Sequence, residues 1–448
     1  MAVRVPATGS VRSFRLAERL ALGVVALIAL ALALAAATRP MLVLVGLVAL
    51  VVVVACTARV DLALLLLVAT APLEALFPGG AGGGLTVTKA VGLLCFMSFA
   101  LNVVVTGRRL RFGVPHALVF CLLAVALLST LVARSTADAM TTTTRYASFV
   151  ALFFVVSQFV GNHVLHTRIA WVLSAASAIA GAIASWNFLS GRTLSARLPN
   201  GDPNDVAFIL ATTLPLTFWL LRERGPRRVA AALLLGVISV SILLTLSRGA
   251  LIGLGAAVIW LAIAERRLLR PLLAGAVVAA LILGLAVNAK QARIETGLQA
   301  KEKVASANVA SRLEAWGAAS RLAVDHPALG VGPGNFQYYF LEETGSPPGS
   351  ERLRVVHDAY LDIAAELGPT AMLLFIAYLG VVFGRLTGAR RLGLGPPGLA
   401  AALRVSLVVG SVSALTLSEQ YFAPFWLIGG LAAALWQERS LTQRPATQ

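Results

Sequence analysis

One stretch decides how this chain is organised: residues 289–356, the only long part of the sequence that is not apolar enough to cross a membrane. It contains Ser311-Arg312-Leu313-Glu314 and then His326-Pro327-Ala328-Leu329-Gly330-Val331-Gly332-Pro333-Gly334-Asn335-Phe336. It ends at Val356-His357-Asp358-Ala359-Tyr360-Leu361, where the next apolar segment begins. A polar, glycine-punctuated loop of this length between apolar segments predicts an extramembrane region with a function of its own.

The segments on both sides of this loop indicate a membrane protein. The chain is 58% hydrophobic and 13% charged, with a mean hydropathy of +0.85, which is outside the range of soluble domains. The alternation of a membrane β-barrel is absent, so helices must satisfy the backbone in lipid. We therefore predict an all-α polytopic membrane protein with twelve to fourteen transmembrane helices and one large loop that contains short helices. Each predicted span approaches the roughly 20 residues that a bilayer requires, and the spans are 20–37, 41–57, 60–77, 86–106, 115–133, 146–161, 168–189, 205–221, 229–246, 249–264, 271–288, 357–384, 400–417 and 420–437.

The arginines orient this bundle. Most of them fall on one set of helix ends, and few fall on the opposite short loops, so the positive-inside rule places both termini in the cytoplasm and the 289–356 loop on the outer side of the membrane. This divides the chain into N-terminal helices (1–288), the large outer loop (289–356) and C-terminal helices (357–448). The net charge of +17 then reflects topology and attraction to anionic membrane lipids rather than nucleic-acid binding. The predicted cytoplasmic clusters are Arg12 to Arg19, Arg108 to Arg111, Arg222 to Arg228, Arg266 to Arg270 and Arg385 to Arg391.

The loop is expected to carry its own helix. Ser311 and Glu314 have the spacing of a capping box, so we predict a helix from Ser311 to about Val324, ended by His326-Pro327. Arg312 would then lie in the first turn, where free backbone N–H groups already favour an anion such as a diphosphate. The alternative is a solvated arginine on a helix that lies on the membrane surface, with Trp316 as its interfacial anchor.

The glycines of the loop suit close packing. Gly330, Gly332 and Gly334 permit positive φ and close approach of the backbone. They do not form a dinucleotide-binding fingerprint, because no βαβ unit surrounds them.

His357 is the candidate catalytic residue. It begins the predicted 357–384 span, near a helix N-terminus whose dipole disfavours the charged imidazolium. A neutral imidazole can accept a proton from a sugar hydroxyl. The alternative is an interfacial histidine hydrogen-bonded to a loop carbonyl. Asp358, Asp362 and Glu366 share a neighbouring helix face, where we expect them to pair with cations or to line a wet cavity.

Two further outer loops supply arginines. One, residues 191–205, contains Arg192, Arg197 and Asn204, and an ion pair with Asp202 is the alternative explanation for Arg197. The other is the tight turn Ser247-Arg248-Gly249, flanked by apolar helix, which predicts an arginine forced to membrane depth and in need of an anion. No histidine-rich cluster and no CxxC spacing predicts a metal site in these loops.

Taken in order, these motifs resemble the O-antigen ligase and Wzy-type polysaccharide polymerase superfamily. The resemblance covers residues from about 190 to 370, and His357-Asp358 stands where many members have His-Asn. The matching motifs are Pro203-Asn204, Ser247-Arg248-Gly249, Arg312 with Trp316, the segment from Pro327 to Gly334, and His357 with Tyr360 and Leu361.

The resemblance implies a GT-C-like membrane glycosyltransferase without a cofactor. Its partners would be an undecaprenyl-diphosphate-linked glycan donor, lipid A-core as acceptor, and membrane lipids, on the periplasmic face of the bacterial inner membrane. His357 would act as the base, while Arg248 and Arg312 would stabilise the leaving diphosphate in a metal-independent, inverting reaction. Substrate contacts would come from Arg192, Arg197, Asn204, Trp316, Gly332, Gly334 and Tyr360.

Three alternatives remain from the sequence. A Wzy-type polymerase and a protein O-oligosaccharyltransferase share the donor and the chemistry of a ligase. A transporter or flippase for an anionic lipid-linked substrate would also need outer arginines, but it should show polar residues and helix breaks at the midplane of several spans. In this chain the polar residues crowd the outer face, which favours an enzyme.

Overall fold

The computed structural model describes residues 40–77, 86–264, 295–296, 309–344 and 355–442. These residues contain helices and no strand, which confirms the all-α prediction. The helices are α1 (Pro40–Ala58), α2 (Val60–Thr70), α3 (Val87–Thr106), α4 (Val114–Ser129), α5 (Thr136–Ser157), α6 (His163–Leu189), α7 (Pro203–Leu220), α8 (Pro226–Thr245), α9 (Arg248–Ala264), α10 (309–325 as described), α11 (Phe336–Thr344), α12 (Ala359–Leu367), α13 (Pro369–Arg391), α14 (Leu399–Ser413) and α15 (Ala423–Thr442).

The chain forms two units, residues 1–59 and residues 60–448. In the first unit, α1 is an apolar helix of 19 residues. The second unit contains α2 to α15 and every residue discussed below.

Helices long enough to cross a bilayer recur through the second unit, so the protein is a multi-pass membrane protein. Six described helices have the length and hydropathy of a span, and two shorter ones, α9 and α14, are also apolar. The predicted spans 20–37 and 271–288 lie outside the described residues. The six candidate spans are Val87–Thr106, Val114–Val132, Thr136–Ser157, His163–Leu189, Pro226–Thr245 and Pro369–Arg391.

The predicted 357–384 span is wrong as a single helix. The chain forms the nine-residue α12, breaks at Gly368 with φ 89°, and starts the longer α13 at Pro369. Proline suits the first turn of a helix, where its missing N–H costs nothing, and glycine tolerates the positive φ before it. His357 therefore precedes a short separate helix rather than a long span.

Small residues bring the helices of the second unit close together. The buried core between α6, α7, α8, α9 and α14 includes Phe188, Leu210 and Ile242. A Cβ on Gly181 would lie 2.7 Å from Ser241 Oγ, and one on Gly253 would lie 2.6 Å from the carbonyl oxygen of Val409. Close contacts of this kind are the usual basis of helix packing in membranes.

The helices of the large loop are docked rather than free. Ala318 and Leu322 of α10 share a buried cluster with Phe336 and Phe340 of α11 and with Ala365 of α12. The loop therefore forms a small second core against α12, and this core fixes the position of α10.

The connections between helices meet at two opposite ends. At one end the backbone N–H of Ala196 donates to the carbonyl of Leu244 (2.9 Å). At the other end Trp219 Nε1 donates to the carbonyl of Pro397 (2.9 Å), and Arg222 contacts the same carbonyl. The described arginine clusters around Arg108, Arg222 and Arg390 gather at this second end, and the candidate site lies at the first. The predicted clusters Arg12 to Arg19 and Arg266 to Arg270 lie outside the described residues.

Candidate functional site

Arg312 and Trp316 of α10 tie this helix to both sides of the site. Arg312 is half-buried, and its Nη1 donates to the carbonyl of Thr416, 3.1 Å away, in the connection between α14 and α15. Trp316 Nε1 donates to the carbonyl of Val356 (3.0 Å), directly before His357. Trp316, for which the sequence offered the role of an interfacial anchor, thus holds the segment that carries His357.

Ser311 does not begin the loop helix, contrary to the capping-box prediction. Residues 309 and 310 are already helical, so Ser311 is an internal residue and Arg312 lies beyond the start of α10. The helix does end where predicted, after Asp325 and before Pro327. The local spacing of Ser311 and Glu314 was misleading because a capping box is a short pattern that also occurs within helices.

Arg248, rather than Arg312, stands at a helix start. It is the first residue of α9, so its guanidinium adds to the positive end of a 17-residue helix. Ser247 Oγ donates to Asn204 Oδ1 (2.7 Å), which fixes the turn against the beginning of α7. A Cβ on Gly249 would lie 2.6 Å from Thr416 Oγ1, so this turn packs on Thr416. The carbonyl of Thr416 also accepts the hydrogen bond from Arg312.

The side chain of Arg248 is exposed rather than buried within the protein, and its predicted position at membrane depth stays a prediction. Within the described part of the chain it makes no ion pair with a carboxylate. An exposed guanidinium at a helix N-terminus is available to an anionic ligand.

His357 has a backbone conformation that is rare outside glycine, with φ 55°. Its side chain is half-buried. Burial lowers the pKa of His357, the positive charge of Arg312 lowers it further, and Asp202 opposes both effects. The lowered pKa favours the neutral imidazole, which is the direction that the sequence predicted, and its causes are burial and the charge of Arg312.

The charges of Arg312, Asp202 and Arg248 influence one another. Burial lowers the pKa of Arg312, Asp202 raises it, and Arg248 lowers it. The structure thus brings two of the predicted arginines into electrostatic contact, with His357 close to one of them. These residues come from three distant segments of the chain.

Arg192 and Arg197 lie in the segment between α6 and α7, and both side chains are exposed. Asn187 organises this segment: its Nδ2 donates to the carbonyl of Arg197 (3.2 Å), and its own carbonyl accepts from the N–H of Arg192 (2.9 Å). No Arg197–Asp202 ion pair occurs among the ion pairs of the described residues, so that explanation for Arg197 loses its support. Their roles in substrate binding remain predictions.

Gly332 and Gly334 pack against protein. Gly332 has φ 100° and lies on Ala133, where a Cβ would overlap the backbone. Its N–H donates to the carbonyl of Glu366 (3.0 Å), and the N–H of Gly334 donates to Glu366 Oε2 (2.7 Å). Close docking of the loop onto α12 accounts for both glycines, and their assignment to substrate binding stays a prediction.

Tyr360 connects α12 to α14 through its hydroxyl, which donates to the carbonyl of Ser411 (2.9 Å). Asp358 caps α12 by accepting from the N–H groups of Tyr360 and Leu361, at 2.9 and 3.0 Å. Tyr360 thus fixes α12, the helix that follows His357, against α14. Its contact with substrate stays a prediction.

The buried acids of α12 are paired with neutral donors, which corrects the expectation of cations or a wet cavity. Asp362 Oδ2 accepts from Gln420 Nε2 (2.7 Å). Glu366 accepts from Tyr421 Oη (2.9 Å) as well as from the loop. Among the described residues, no three His, Cys, Asp or Glu side chains are grouped to hold a metal ion.

Sequence reasoning missed Asp202 and Thr416. The pattern Asp202-Pro203 does signal a helix N-cap, but its closeness to His357 depends on tertiary structure. Thr416 acts through its backbone carbonyl, which leaves no mark in the sequence.

Comparison with known protein families gives a match over part of the chain. Residues 233–376 match the family model described as O-antigen ligase, and no curated protein matches the chain. The matched range runs from α8 to α13 and contains Arg248, Arg312 and His357, whereas Asp202, Asn204 and Thr416 lie outside it. Residues 233–376 are therefore similar to the O-antigen ligase family, which confirms over that range the resemblance drawn from the motifs.

Proposed function

We propose that the protein is an O-antigen ligase that transfers a glycan from an undecaprenyl-diphosphate carrier to lipid A-core, on the periplasmic face of the inner membrane. The observation that carries this proposal is the grouping of three distant segments: the turn of Arg248 packs on Thr416, Arg312 donates to Thr416, and Trp316 of the same helix holds the residue before the half-buried His357. The match of residues 233–376 to the O-antigen ligase family supports it.

In this proposal each charged group has one role. His357 removes the proton from the acceptor hydroxyl as its oxygen attacks the anomeric carbon of the donor. The bond from that carbon to the diphosphate oxygen breaks, and the diphosphate leaves with the electron pair on the carrier lipid. Attack opposite the leaving group inverts the anomeric centre.

Arg248 and Arg312 stabilise the leaving diphosphate. Guanidinium groups bind phosphate oxygens through paired N–H donors, and their stabilisation increases as negative charge develops on the leaving oxygen. Arg312 is already held by Thr416, so part of the cost of ordering its side chain is met before the donor binds. Two fixed cations would take the place of a divalent metal ion.

The test is transfer by the purified protein in lipid nanodiscs. The donor is an undecaprenyl-diphosphate-linked glycan, and lipid A-core, a second donor molecule and a pilin-type protein are offered as acceptors in separate reactions. We expect sugar to appear on lipid A-core, by mass spectrometry, at the same rate with and without EDTA.

Other results would contradict parts of the proposal. Extension of the second donor would make the protein a polymerase, and modification of the protein acceptor would make it an oligosaccharyltransferase. Loss of transfer on chelation, restored by Mg²⁺ or Mn²⁺, would refute metal independence. Movement of labelled donor across a vesicle membrane without transfer would support a flippase.

A further inference from the structure

We propose that Asp202 is a positioning residue for His357: its carboxylate stabilises the imidazolium that forms when His357 accepts the proton of the acceptor hydroxyl. This inference rests on the proposed function, in which His357 is the base. It adds a residue that lies outside the range matched to the family.

The carboxylate of Asp202 is held rigidly. Asp202 is the N-cap of α7, and its Oδ1 accepts from the N–H of Asn204 at 2.7 Å. The residues just before it are also fixed, because Asn200 N–H donates to the carbonyl of Ala75 (3.1 Å), and a Cβ on Gly201 would lie 2.9 Å from the side chain of Ala75. Capping uses one carboxylate oxygen, and the side chain is exposed, so the charge is held at the start of α7.

The position of His357 is equally well determined. The carbonyl before it, that of Val356, accepts from Trp316 (3.0 Å), and the N–H of Ala359 donates to the carbonyl of Ala414 (2.8 Å). These bonds hold the uncommon φ of 55° at the histidine itself. A side chain in such a conformation persists only where the surroundings enforce it.

A chain of contacts joins the two residues. Asn204, two positions after Asp202, accepts from Ser247 Oγ (2.7 Å), and this fixes the start of α7 to the turn that carries Arg248. Gly249 in that turn packs on Thr416, whose carbonyl holds Arg312. The bond from Ala359 N–H to the carbonyl of Ala414, two positions before Thr416, brings the segment of His357 to the same connection. Asp202, Arg248, Arg312 and His357 are thus all held close to residues 414–416.

The charges around His357 give Asp202 this role. Among the described residues, Arg312 of α10 and Asp202 act on His357 from neighbouring elements, and Arg248 acts on Arg312. An imidazolium that forms near the guanidinium of Arg312 is destabilised by repulsion, and a carboxylate nearby offsets that repulsion. Asp205, in the first turn of α7, and Glu419 are further carboxyl groups near Asp202. In Ser-His-Asp triads a carboxylate stabilises the imidazolium in the same way without itself taking the proton.

The test is Asp202→Asn. Asparagine caps helices as well as aspartate does, so α7 is preserved while the negative charge is removed. Because Asp202 raises the pKa of His357, its loss should lower that pKa. In the profile of transfer rate against pH, the rate falls at low pH as His357 becomes protonated. This fall should then occur at lower pH. The plateau rate should fall about tenfold, a fraction of the full effect of a general base, while the KM for the donor changes little.

Asp358→Asn is the matched control. Asp358 also caps a helix, and it is the chain neighbour of His357, so the same substitution removes an equal charge from an equivalent cap. The pKa of His357, followed by NMR of labelled histidine and assigned by comparison with His357→Ala, should shift less in this variant than in Asp202→Asn.

The outcomes separate the inference from the proposed function. An unchanged histidine pKa in Asp202→Asn, or an equal shift in Asp358→Asn, refutes the role of Asp202, and so does a lowered pKa with an undiminished plateau rate. Failure of the wild-type protein to transfer glycan refutes the proposed function. Since the NMR titration needs no activity, it measures the Asp202–His357 interaction in that case too.

Discussion

At the scale of single residues, backbone strain coincides with the candidate site. Leu246 and His357 are the non-glycine residues with positive φ in the described ranges, at 56° and 55°. One lies two positions before Arg248, and the other is the proposed base. Conformations of this kind cost on the order of 1–3 kcal/mol and are kept where surrounding contacts enforce them, frequently at functional sites.

Substitution of the three proposed catalytic residues should separate binding from chemistry. His357→Ala removes a proton acceptor but no positive charge, so transfer should fall by about a hundred- to ten-thousand-fold with donor affinity nearly unchanged. Arg248→Ala and Arg312→Ala should weaken donor binding as well as turnover, because each contacts the diphosphate in the ground state and in the transition state. Donor affinity and single-turnover rate, measured on the same preparations, distinguish the two classes.

Arg224→Ala is the control for loss of one arginine, since this exposed residue lies in the loop between α7 and α8 at the opposite end of the molecule. Lysine at 248 or 312 should rescue only in part if binding is bidentate. A folded His357→Ala protein that transfers at nearly the wild-type rate would make the histidine structural.

The sequence identified individual candidate residues of this site, but it did not show which of them lie close together. His357, Arg248 and Arg312 stand out because polar side chains are unusual beside apolar spans. Asp202 does not, because an aspartate before Pro203 has a sufficient local explanation as a helix cap. Its influence on His357 arises only when α7 and the segment before α12 are packed together.

At the scale of elements, α12 is the support of the large loop. Glu366 accepts from Gly334 N–H (2.7 Å), from Phe336 N–H (3.3 Å) and from Tyr421 Oη (2.9 Å). Ser129 Oγ adds a bond to the backbone carbonyl of Glu366 (2.9 Å). One buried carboxylate therefore joins the glycine segment, the short helix and the connection before α15.

Glu366→Leu should destabilise the protein and detach the loop. Each buried donor left without an acceptor costs about 1–3 kcal/mol, so the loss of three acceptor contacts should lower the Tm markedly. Glu366→Gln, which retains one acceptor oxygen, should give an intermediate Tm. Thermal unfolding in detergent and limited proteolysis of the loop measure the two effects.

The control is Glu342→Gln. This substitution breaks the exposed ion pair between Glu342, on the same loop, and Arg134, which lies just before α5. Exposed pairs contribute little, so its Tm should match the wild type. Equal loss of stability in both variants would mean that the loop depends on its charge rather than on the buried acceptor.

Element boundaries were predicted unevenly, and for a physical reason. Hydropathy located the spans on described residues, because burial in lipid selects long apolar runs. It merged α12 with α13, since both are apolar and a sliding average passes over Gly368-Pro369. The break matters because it separates the helix that follows His357 from the span proper.

At the largest scale, that of residues 60–448, the arginine-rich loop between α7 and α8 and the candidate site lie at opposite ends of α7. Arg222 contacts the carbonyl of Pro397 at one end, beside Arg224 and Arg227, while Arg312 holds Thr416 at the other. Basic loops are retained in the cytoplasm during insertion, so the arrangement favours a periplasmic site. A donor whose diphosphate is already exposed on that face would reach Arg248 and Arg312 without crossing the bilayer.

Cysteine labelling should establish this orientation. In a background without Cys56, Cys95 and Cys121, Asp325→Cys places a thiol at the exposed end of α10, and Arg224→Cys places one in the exposed loop between α7 and α8. A membrane-impermeant maleimide should label the first from the periplasm of cells with an opened outer membrane. It should label the second only after the inner membrane is broken, because the arginine-rich end faces the cytoplasm.

The two positions are similarly exposed, so a difference in labelling reports the side of the membrane rather than burial. Reversal of the two results would place Arg248, Arg312 and His357 in the cytoplasm, where they would not meet lipid A-core in the periplasmic leaflet, and the proposed ligase activity would have to be abandoned.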